Sequence, residues 1–345
     1  MQLKLQPSKE MVALLDFTMR EYISLVNDIA DYIIVCGRMP KLSSAMVKAP
    51  LPSALKSQCC LDAKSIYTKV TKKGSKHKGK LPILKKPVAI WNNQNYEVGA
   101  DYIAMPFFVD GKVHKTKIPA IVPTARLKEL KVFKLGTLRI TKKGSKYIAQ
   151  IAYEQPEPES LSEGNVMGVD LGLKCPAVAV TSTGTTAFYG NGRENKFVRR
   201  KYNTRRKKLE KAKKLRAIRK SRNKEQRWMR DRDHKVSRAI VNDAIRQRVS
   251  AIKLEALAGI RKSARTSRKN NHELHSWSFY RLANFIEYKA KLAGINVVYV
   301  DPAYTSQTCP HCGARHHARD RLYICSDCGY SCHRDRVGAL NILNA

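Results

Sequence analysis

Cysteines at 309 and 312, then at 325 and 328, make two CxxC pairs separated by twelve residues (CPHCGARHHARDRLYICSDC). Four thiolates at this spacing suit one tetrahedral Zn²⁺ of the closed, structural kind, which organises a loop and does no catalysis. The interval is long enough for a β-hairpin between the pairs. His311, His316, His317, Cys332 and His333 are reserve ligands, and each reads equally as a surface or nucleic-acid-contacting side chain. Three acids offer different chemistry. Asp170 interrupts VMGVDLGL and Glu255 interrupts AIKLEAL, two strand-like runs that otherwise read as buried on both faces. Asp335 opens the helix-like segment RVGALNIL. An ionised carboxylate is costly to bury without a cation, a donor or a raised pKa. Singly, the three read as a turn residue, a strand-end ion-pair partner and a capping acid. Together they could hold two Mg²⁺ ions through oxygen ligands. Paired cations activate a water and stabilise a leaving oxygen, so phosphodiester hydrolysis then needs no side-chain nucleophile. Asp301, before Pro302, is a fourth candidate and more simply a turn residue.

The elements that must position these residues follow from periodicity. Residues 165–171, 176–182 and 185–190 read as strands, AIKLE (251–255) and NVVYV (296–300) as two more, and 278–294 as a helix ended by Gly294. Between them, residues 196–235 hold 20 Lys or Arg against 4 acids, a net +16. Leu209, Ala212, Leu215, Ile218 and Met229 in this stretch, and Val236, Ile240, Ile245 and Val249 just after it, recur at helical spacing, which predicts one or two long basic helices. Arg199, Arg200, Lys201, Arg205, Arg206, Lys207, Lys208, Arg216 and Arg219 are the candidate phosphate contacts. Strands, helices, strand, helix, strand, knuckle and helix, in that order, suit an α/β region with a mixed sheet.

The first half is organised differently. Residues 8–35 carry apolar positions at helical spacing behind Ser8, a plausible N-cap, and the basic, glycine-containing stretch 71–80 reads as a surface loop. From 86 to 153, extended runs punctuated by Asp110-Gly111 and by KKGS (142–145) predict an antiparallel barrel or sandwich, closing at the linker-like QPEPES (155–160).

Composition sets the partner class. The chain has 345 residues, 66 Lys or Arg against 28 Asp or Glu, and a formal charge of +38. That excess fits a polyanion, with nucleic acid first. No apolar run is long enough for a membrane span. The opening MQLKLQPSKE lacks a signal-peptide core, so we expect a non-secreted chain, cytoplasmic or nucleoid-associated, with reduced cysteines. Cys36, Cys59, Cys60 and Cys175 have no partner spacing and read as buried hydrophobes or bystanders.

GVDLGLKCPAVAVTSTG (168–184), IKLEALAGI (252–260), YKAKLAGINVVYVDPAYTSQTCPHCG (288–313) and YICSDCGYSCHRDRVGALNIL (323–343), in that order, resemble the TnpB family of insertion sequences, and through it the RuvC-like nuclease domains of type V CRISPR effectors. KLQPSKEMVALL resembles that family's opening more weakly. The resemblance implies an α+β multidomain chain. A ribonuclease H-like (RuvC) nuclease domain would span 164–345 with a zinc-binding insertion at 305–332, a wedge-like β-barrel 1–10 and 85–158, and a helical recognition-like region 11–84. It also implies that Asp170, Glu255 and Asp335 are catalytic metal ligands for two Mg²⁺, and that Cys309, Cys312, Cys325 and Cys328 bind one Zn²⁺. The implied partners are a guide RNA and a DNA target met as double and single strands. The implied activity is RNA-guided, Mg-dependent DNA cleavage for a transposable element, with transposition and DNA recombination as its setting. Ala256 and Val337 stand where that family has an acid or amide and an asparagine. A compact type V effector, a DNA-binding regulator, and a transposase or accessory protein without a guide are the competing functions.

Overall fold

The structure, a computed structural model, describes residues 1–37, 40–72, 83–221, 223–257, 278–318 and 320–345. From residue 73 on, the basic loop predicted at 71–80 lies outside the described residues, as do 258–260 of the second matching stretch. The chain divides into two compact units, Met1–Pro156 and Glu157–Ala345.

The first unit joins β1 (Gln2–Leu5), α1 (Lys9–Cys36), α2 (Ser53–Thr71), β2 (Val88–Trp91), β3 (Glu97–Val98), β4 (Tyr102–Val109), β5 (Lys112–Ile121), α3 (Thr124–Val132), β6 (Lys134–Lys143) and β7 (Lys146–Glu154). Ser8 caps α1, its Oγ accepting the Met11 N–H at 3.3 Å. The buried stripe Leu15, Met19, Tyr22, Val26, Ile29 and Ile33 follows the helical period. Between β4 and β5, Asp110 and Gly111 both take left-handed φ (48° and 77°), the tight hairpin that an Asp-Gly pair encodes.

The seven strands run in the order β2-β6-β7-β1-β5-β4-β3, every pairing antiparallel. The sheet curls strongly. Trp91 on β2, at one end of that order, donates its indole N–H to the Pro106 carbonyl on β4 at 3.1 Å, and its ring meets Phe107 edge-on at 5.8 Å. Among the described residues the end strands β2 and β3 do not pair, so the expected barrel is a curled sheet bridged by side chains. Helix α3, inside the predicted run of strands, buries only Leu130 and has no apolar period to announce it.

The second unit comprises β8 (Asn165–Asp170), β9 (Ala177–Thr181), β10 (Thr186–Tyr189), α4 (Gly192–Lys211), α5 (Leu215–Ser221), α6 (Lys224–Arg246), β11 (Val249–Glu255), α7 (Phe279–Lys291), β12 (Asn296–Val300), β13 (Leu322–Ile324), β14 (Ser331–His333) and α8 (Arg334–Asn344). Its main sheet has the order β10-β9-β8-β11-β12, with β8, β11 and β12 parallel and β9 and β10 antiparallel to their neighbours. Both faces are covered, which is why β9 (AVAVT) is buried at every position. Met167, Val169, Ile252 and Leu254 join a core with Ile240, Val241 and Ala244 of α6 and Ile286 and Ala290 of α7. On the other face, Val178 and Val180 meet Ala339, Leu340 and Leu343 of α8.

Successive strand side chains alternate between faces, so Gly168, Asp170, Lys253 and Glu255 all belong to the α8 face. Lys253 Nζ confirms this by donating to the Leu343 carbonyl at 2.9 Å. Gly168 is what lets the helix down. A Cβ there would stand 2.3 Å from the Ala339 carbonyl oxygen and 2.5 Å from the Leu343 amide nitrogen, both backbone atoms that cannot swing aside. Gly168→Ala is therefore expected to cost about 3 kcal/mol, as overpacking against fixed atoms does. An unchanged urea midpoint would show that α8 has room to retreat.

Candidate functional site

Asp170 and Glu255 end adjacent parallel strands. The register pairs Val169 with Leu254, so the next residue on each strand, both acids, comes level on the α8 face. Helix α8 brings the third. Its Gly338 faces Asp170 so closely that a Cβ there would lie 3.1 Å from Asp170 Oδ2, and Asp335 precedes Gly338 by one turn. The electrostatics agree with this convergence. Burial, then the fields of Glu255 and Asp335, push the Asp170 pKa up to about 8. Burial also raises Glu255, partly offset by the Thr305 hydroxyl, which donates to Glu255 Oε1.

Each outer acid holds a partner. Arg321 Nη1 donates to both carboxylate oxygens of Asp335, at 2.6 Å to Oδ1. Asn341 Nδ2 donates to the carbonyls of Thr305 and Thr308, each at 2.7 Å, and so ties the loop that carries Thr305 to α8. In this arrangement the ligand oxygens of the three acids do not all lie within 4.8 Å of one another. Asp301 takes its turn role, its Oδ1 accepting the Ala303 N–H at 2.9 Å. Thr305, Arg321 and Asn341 were not singled out from sequence. A threonine, an asparagine and one arginine among many carry no signal without the fold.

The donor set nevertheless fits divalent cations. Three carboxylates on one face, one of them buried deeply enough to keep its proton near neutrality, form a site whose missing counter-charge a hard cation would supply.

The four knuckle cysteines do come together, with all ligand atoms within 4.8 Å of one another. Sγ–Sγ distances are 3.7 Å for Cys309–Cys328 and 3.5 Å for Cys312–Cys325. Each CxxC pair turns inside its own hairpin. The Cys309 N–H donates to the Ala314 carbonyl and the Gly313 N–H to the Cys309 carbonyl, and Cys325, Gly329 and Tyr330 repeat the pattern. The strand ladder thus lies around each pair, with the Thr308–Arg315 bridge at the first and β13–β14 at the second, and not between them as the spacing had suggested. Burial opposes ionisation of Cys309, yet the amide N–H groups of Cys312 and His311 outweigh it and hold the thiol down to about 6, ready to ligate a soft or borderline cation.

None of the reserve ligands joins this cluster among the described residues. His333 caps α8 by accepting the Asp335 N–H, Cys332 accepts from Arg336, His316 contacts Ser326 and Asp327, and His311 stacks on Tyr330. Val337 closes a small core with Cys309, Tyr323 and Cys325. At a position where the resembling family has asparagine, packing under the knuckle decides the residue.

The other cysteines are free thiols. Cys59 and Cys60 are buried as expected, Cys36 is exposed, and Cys175 donates to the Ala177 carbonyl at 3.2 Å.

The basic stretch forms three helices. Lys213 takes a left-handed φ of 51° and breaks the run between α4 and α5. Along the apolar stripe Met229, Val236 and Ile240 of α6 are buried but Ile245 is exposed, and Val249, expected on a helix, opens β11 because α6 ends at Arg246. Leu215 on α5 is 63% exposed. Arg200, Lys201, Arg205, Lys207, Lys208, Arg216 and Arg219 are exposed. Arg199 is half-buried, and Arg206 pairs with Glu225 at 2.5 Å. None of the helices among the described residues is long and apolar enough to cross a membrane.

Comparison with known proteins places these features. A family model described as "Probable transposase" matches residues 150–261, and one described as "Cas12f1-like, TNB domain" matches 279–342. The TnpB-like protein MJ0751 of Methanocaldococcus jannaschii is 37% identical over 120 residues, covering 34% of this chain and 43% of that protein. The CRISPR-associated endodeoxyribonuclease Cas12f1 of Sulfoacidibacillus thermotolerans is 30% identical over 217 residues, covering 57% of this chain and 50% of that protein. The chain thus spans about half the length of these curated relatives. A Cas12f1 chain solved by cryo-EM in a complex with sgRNA and target DNA shares the fold, with a TM-score of 0.67 over 97% of this chain and 82% of that one, at 17% identity.

Proposed function

Because this chain belongs to the TnpB family, we propose that it is an RNA-guided nuclease that hydrolyses DNA phosphodiesters at the Asp170, Glu255 and Asp335 carboxylates. One observation carries the chemistry: the two strand-end acids and the helix-borne acid converge, and Asp170 feels the charge of both others. A protein that only binds DNA gains nothing from acids that would repel the backbone. The strand order of the second unit supports reading 164–345 as a ribonuclease H-like (RuvC) domain. The insertion of β1 between β5 and β7 supports grouping 1–10 with 85–158 as a wedge-like domain, with 11–84 as the recognition-like region.

Asp170, Glu255 and Asp335 are the residues that would hold two Mg²⁺ ions, which when bound supply an activated water and charge stabilisation at the leaving oxygen. The chain's own groups prepare that site. Thr305 orients Glu255, Asn341 anchors the Thr305 loop, and Gly168 lets α8 deliver Asp335 beside Asp170. Arg321 supplies Asp335 with a counter-charge, a role a bound cation would otherwise fill. The Cys309, Cys312, Cys325 and Cys328 cluster would hold one structural Zn²⁺ and fix the segment from which Arg321 reaches the acids.

The relatives named for Cas12f1 are DNA endonucleases, and the Cas12f1 chain of shared fold was solved with sgRNA and target DNA. Together with the +38 charge, these support a guide RNA and a DNA target here. Base pairing would then supply specificity, while the protein reads duplex shape and a short flanking motif.

The test is to purify the protein with its bound RNA, sequence that RNA, and challenge a matching plasmid in Mg²⁺ beside Asp170→Ala. Wild type should cut the matched plasmid only and the variant should cut neither. Equal cutting by both proteins would end the assignment. Cutting without RNA would replace guidance by structure-selective cleavage.

A further inference from the structure

A cavity of about 490 Å³ opens beside α4, and neither the three carboxylates nor the knuckle cysteines line it. Its size falls in the range of about 300–1,000 Å³ typical of small-molecule sites and exceeds what a lone phosphate fills. One wall is a single face of α4, because Arg199, Asn203 and Arg206 recur at spacings of four and three residues. The loop joining β8 to β9 forms the opposite wall. Gly192, at the start of α4, holds the two walls together: its N–H donates to the Lys174 carbonyl at 3.0 Å, and a Cβ there would stand 2.1 Å from the Leu173 carbonyl oxygen.

The lining has two chemistries. Leu173, Pro176 and Leu282 give it an apolar side. The other side is cationic, and its acids are already engaged, Glu225 by Arg206 at 2.5 Å and Asp233 by Arg281 at 2.6 Å. Among the described residues, no carboxylate pairs with Lys174, Arg193, Arg199 or Arg200, all of which line the cavity. Arg199 is half-buried, and that burial pulls its pKa down although the fields of Glu225 and Asp233 act the other way. A concave site that combines surplus guanidinium groups with apolar side chains matches a phosphate joined to a base.

We propose that this cavity receives one nucleotide turned out of a bound nucleic-acid strand, its phosphate held by Arg199 and Arg200 and its base laid against Leu173, Pro176 and Leu282. The proposal rests on the nucleic-acid reading above. It divides the basic residues by role. Arg199, Arg200 and Arg206 line a pocket, whereas Lys201, Arg205, Lys207, Lys208, Arg216 and Arg219 remain contacts for an extended backbone. The turned-out nucleotide would fix the register of the strand along α4, at the cost of the stacking it gives up.

Photo-crosslinking tests this on the full chain. One arm uses the co-purifying RNA transcribed with 4-thiouridine, the other a single-stranded DNA carrying 4-thiothymidine, and adducts are mapped by mass spectrometry. Adducts on the peptides holding 172–176 or 279–283 are expected in one arm, which identifies the strand. They should fall at least about fivefold in Arg199→Gln, whose folding is checked by thermal melting. Leu173→Trp, at a position 43% exposed on the rim, should suppress them as strongly by filling the mouth without disturbing the core. Adducts confined to other peptides, α5 for example, in strands that still bind would overturn the pocket and leave the nuclease reading standing. Failure of wild type to bind either strand would instead remove the nucleic-acid reading itself.

Discussion

Asp170→Asn is expected to reduce DNA cleavage by at least about a thousandfold, the scale reached when roughly 4 kcal/mol of transition-state stabilisation is withdrawn. The same substitution should make the metal-free protein more stable. Asp170 ionises near pH 8 in the fold, against about 3.9 in an unfolded chain. Below pH 4 both states hold the proton and the site imposes no penalty. Between about 4 and 8 the unfolded chain releases it while the folded one keeps it, so stability falls by up to about 1.4 kcal/mol per pH unit. Above 8 the penalty is complete. Asparagine never ionises, so melting of the metal-free variant should gain on wild type as pH rises from 5 to 8, by a few kcal/mol in order of magnitude. Added Mg²⁺ should restore stability to wild type and leave the variant unmoved. Parallel pH profiles, or equal Mg²⁺ shifts, would show that Asp170 neither senses its neighbours nor holds a cation.

Removing zinc should have the second large effect. The knuckle's own core is four side chains, Cys309, Tyr323, Cys325 and Val337, far too few to fold a segment of its length without metal. Chelation, or Cys312→Ser, is expected to open residues 305–332 to proteolysis. Arg321 and Thr305 lie in that segment, so the carboxylate site should lose its supports and cleavage should fall by one to two orders of magnitude, about the cost of lost outer-shell contacts. A digestion pattern identical with and without zinc would refute the metal's structural role.

The acids were legible because they break an apolar pattern. A charged residue in a strand buried on both faces is a conflict that needs a partner, a donor or a raised pKa. The common face of Asp170 and Glu255, by contrast, comes from the parallel register of β8 and β11, which the sequence does not give. The CxxC pairs, the Ser8 cap and the Asp110-Gly111 turn are equally local. What stayed hidden depends on distant contacts. The curl that brings Trp91 to Pro106, the Arg321–Asp335 pair and the Asn341 bridge all join residues that no short window links. Helix α3 lacks an apolar face, so its pattern could not separate it from the strands around it. The stripe through Leu209, Ala212, Leu215 and Ile218 misled in the opposite sense: it has helical period, but the fold leaves much of it uncovered.

Strand β1 sits at the centre of its sheet, with Gln2 opposite Gln150 and Lys4 opposite Ile121. A ribosome releases this strand before any other part of the unit, yet its two neighbours emerge only after more than a hundred further residues. Until then β1 has neither partner, and both of its edges stay open as hydrogen-bonding rows of the kind that recruit foreign strands. Completion of the first unit is consequently a late, long-range closure, slow by its topology and dependent on the growing chain being kept from wrong partners.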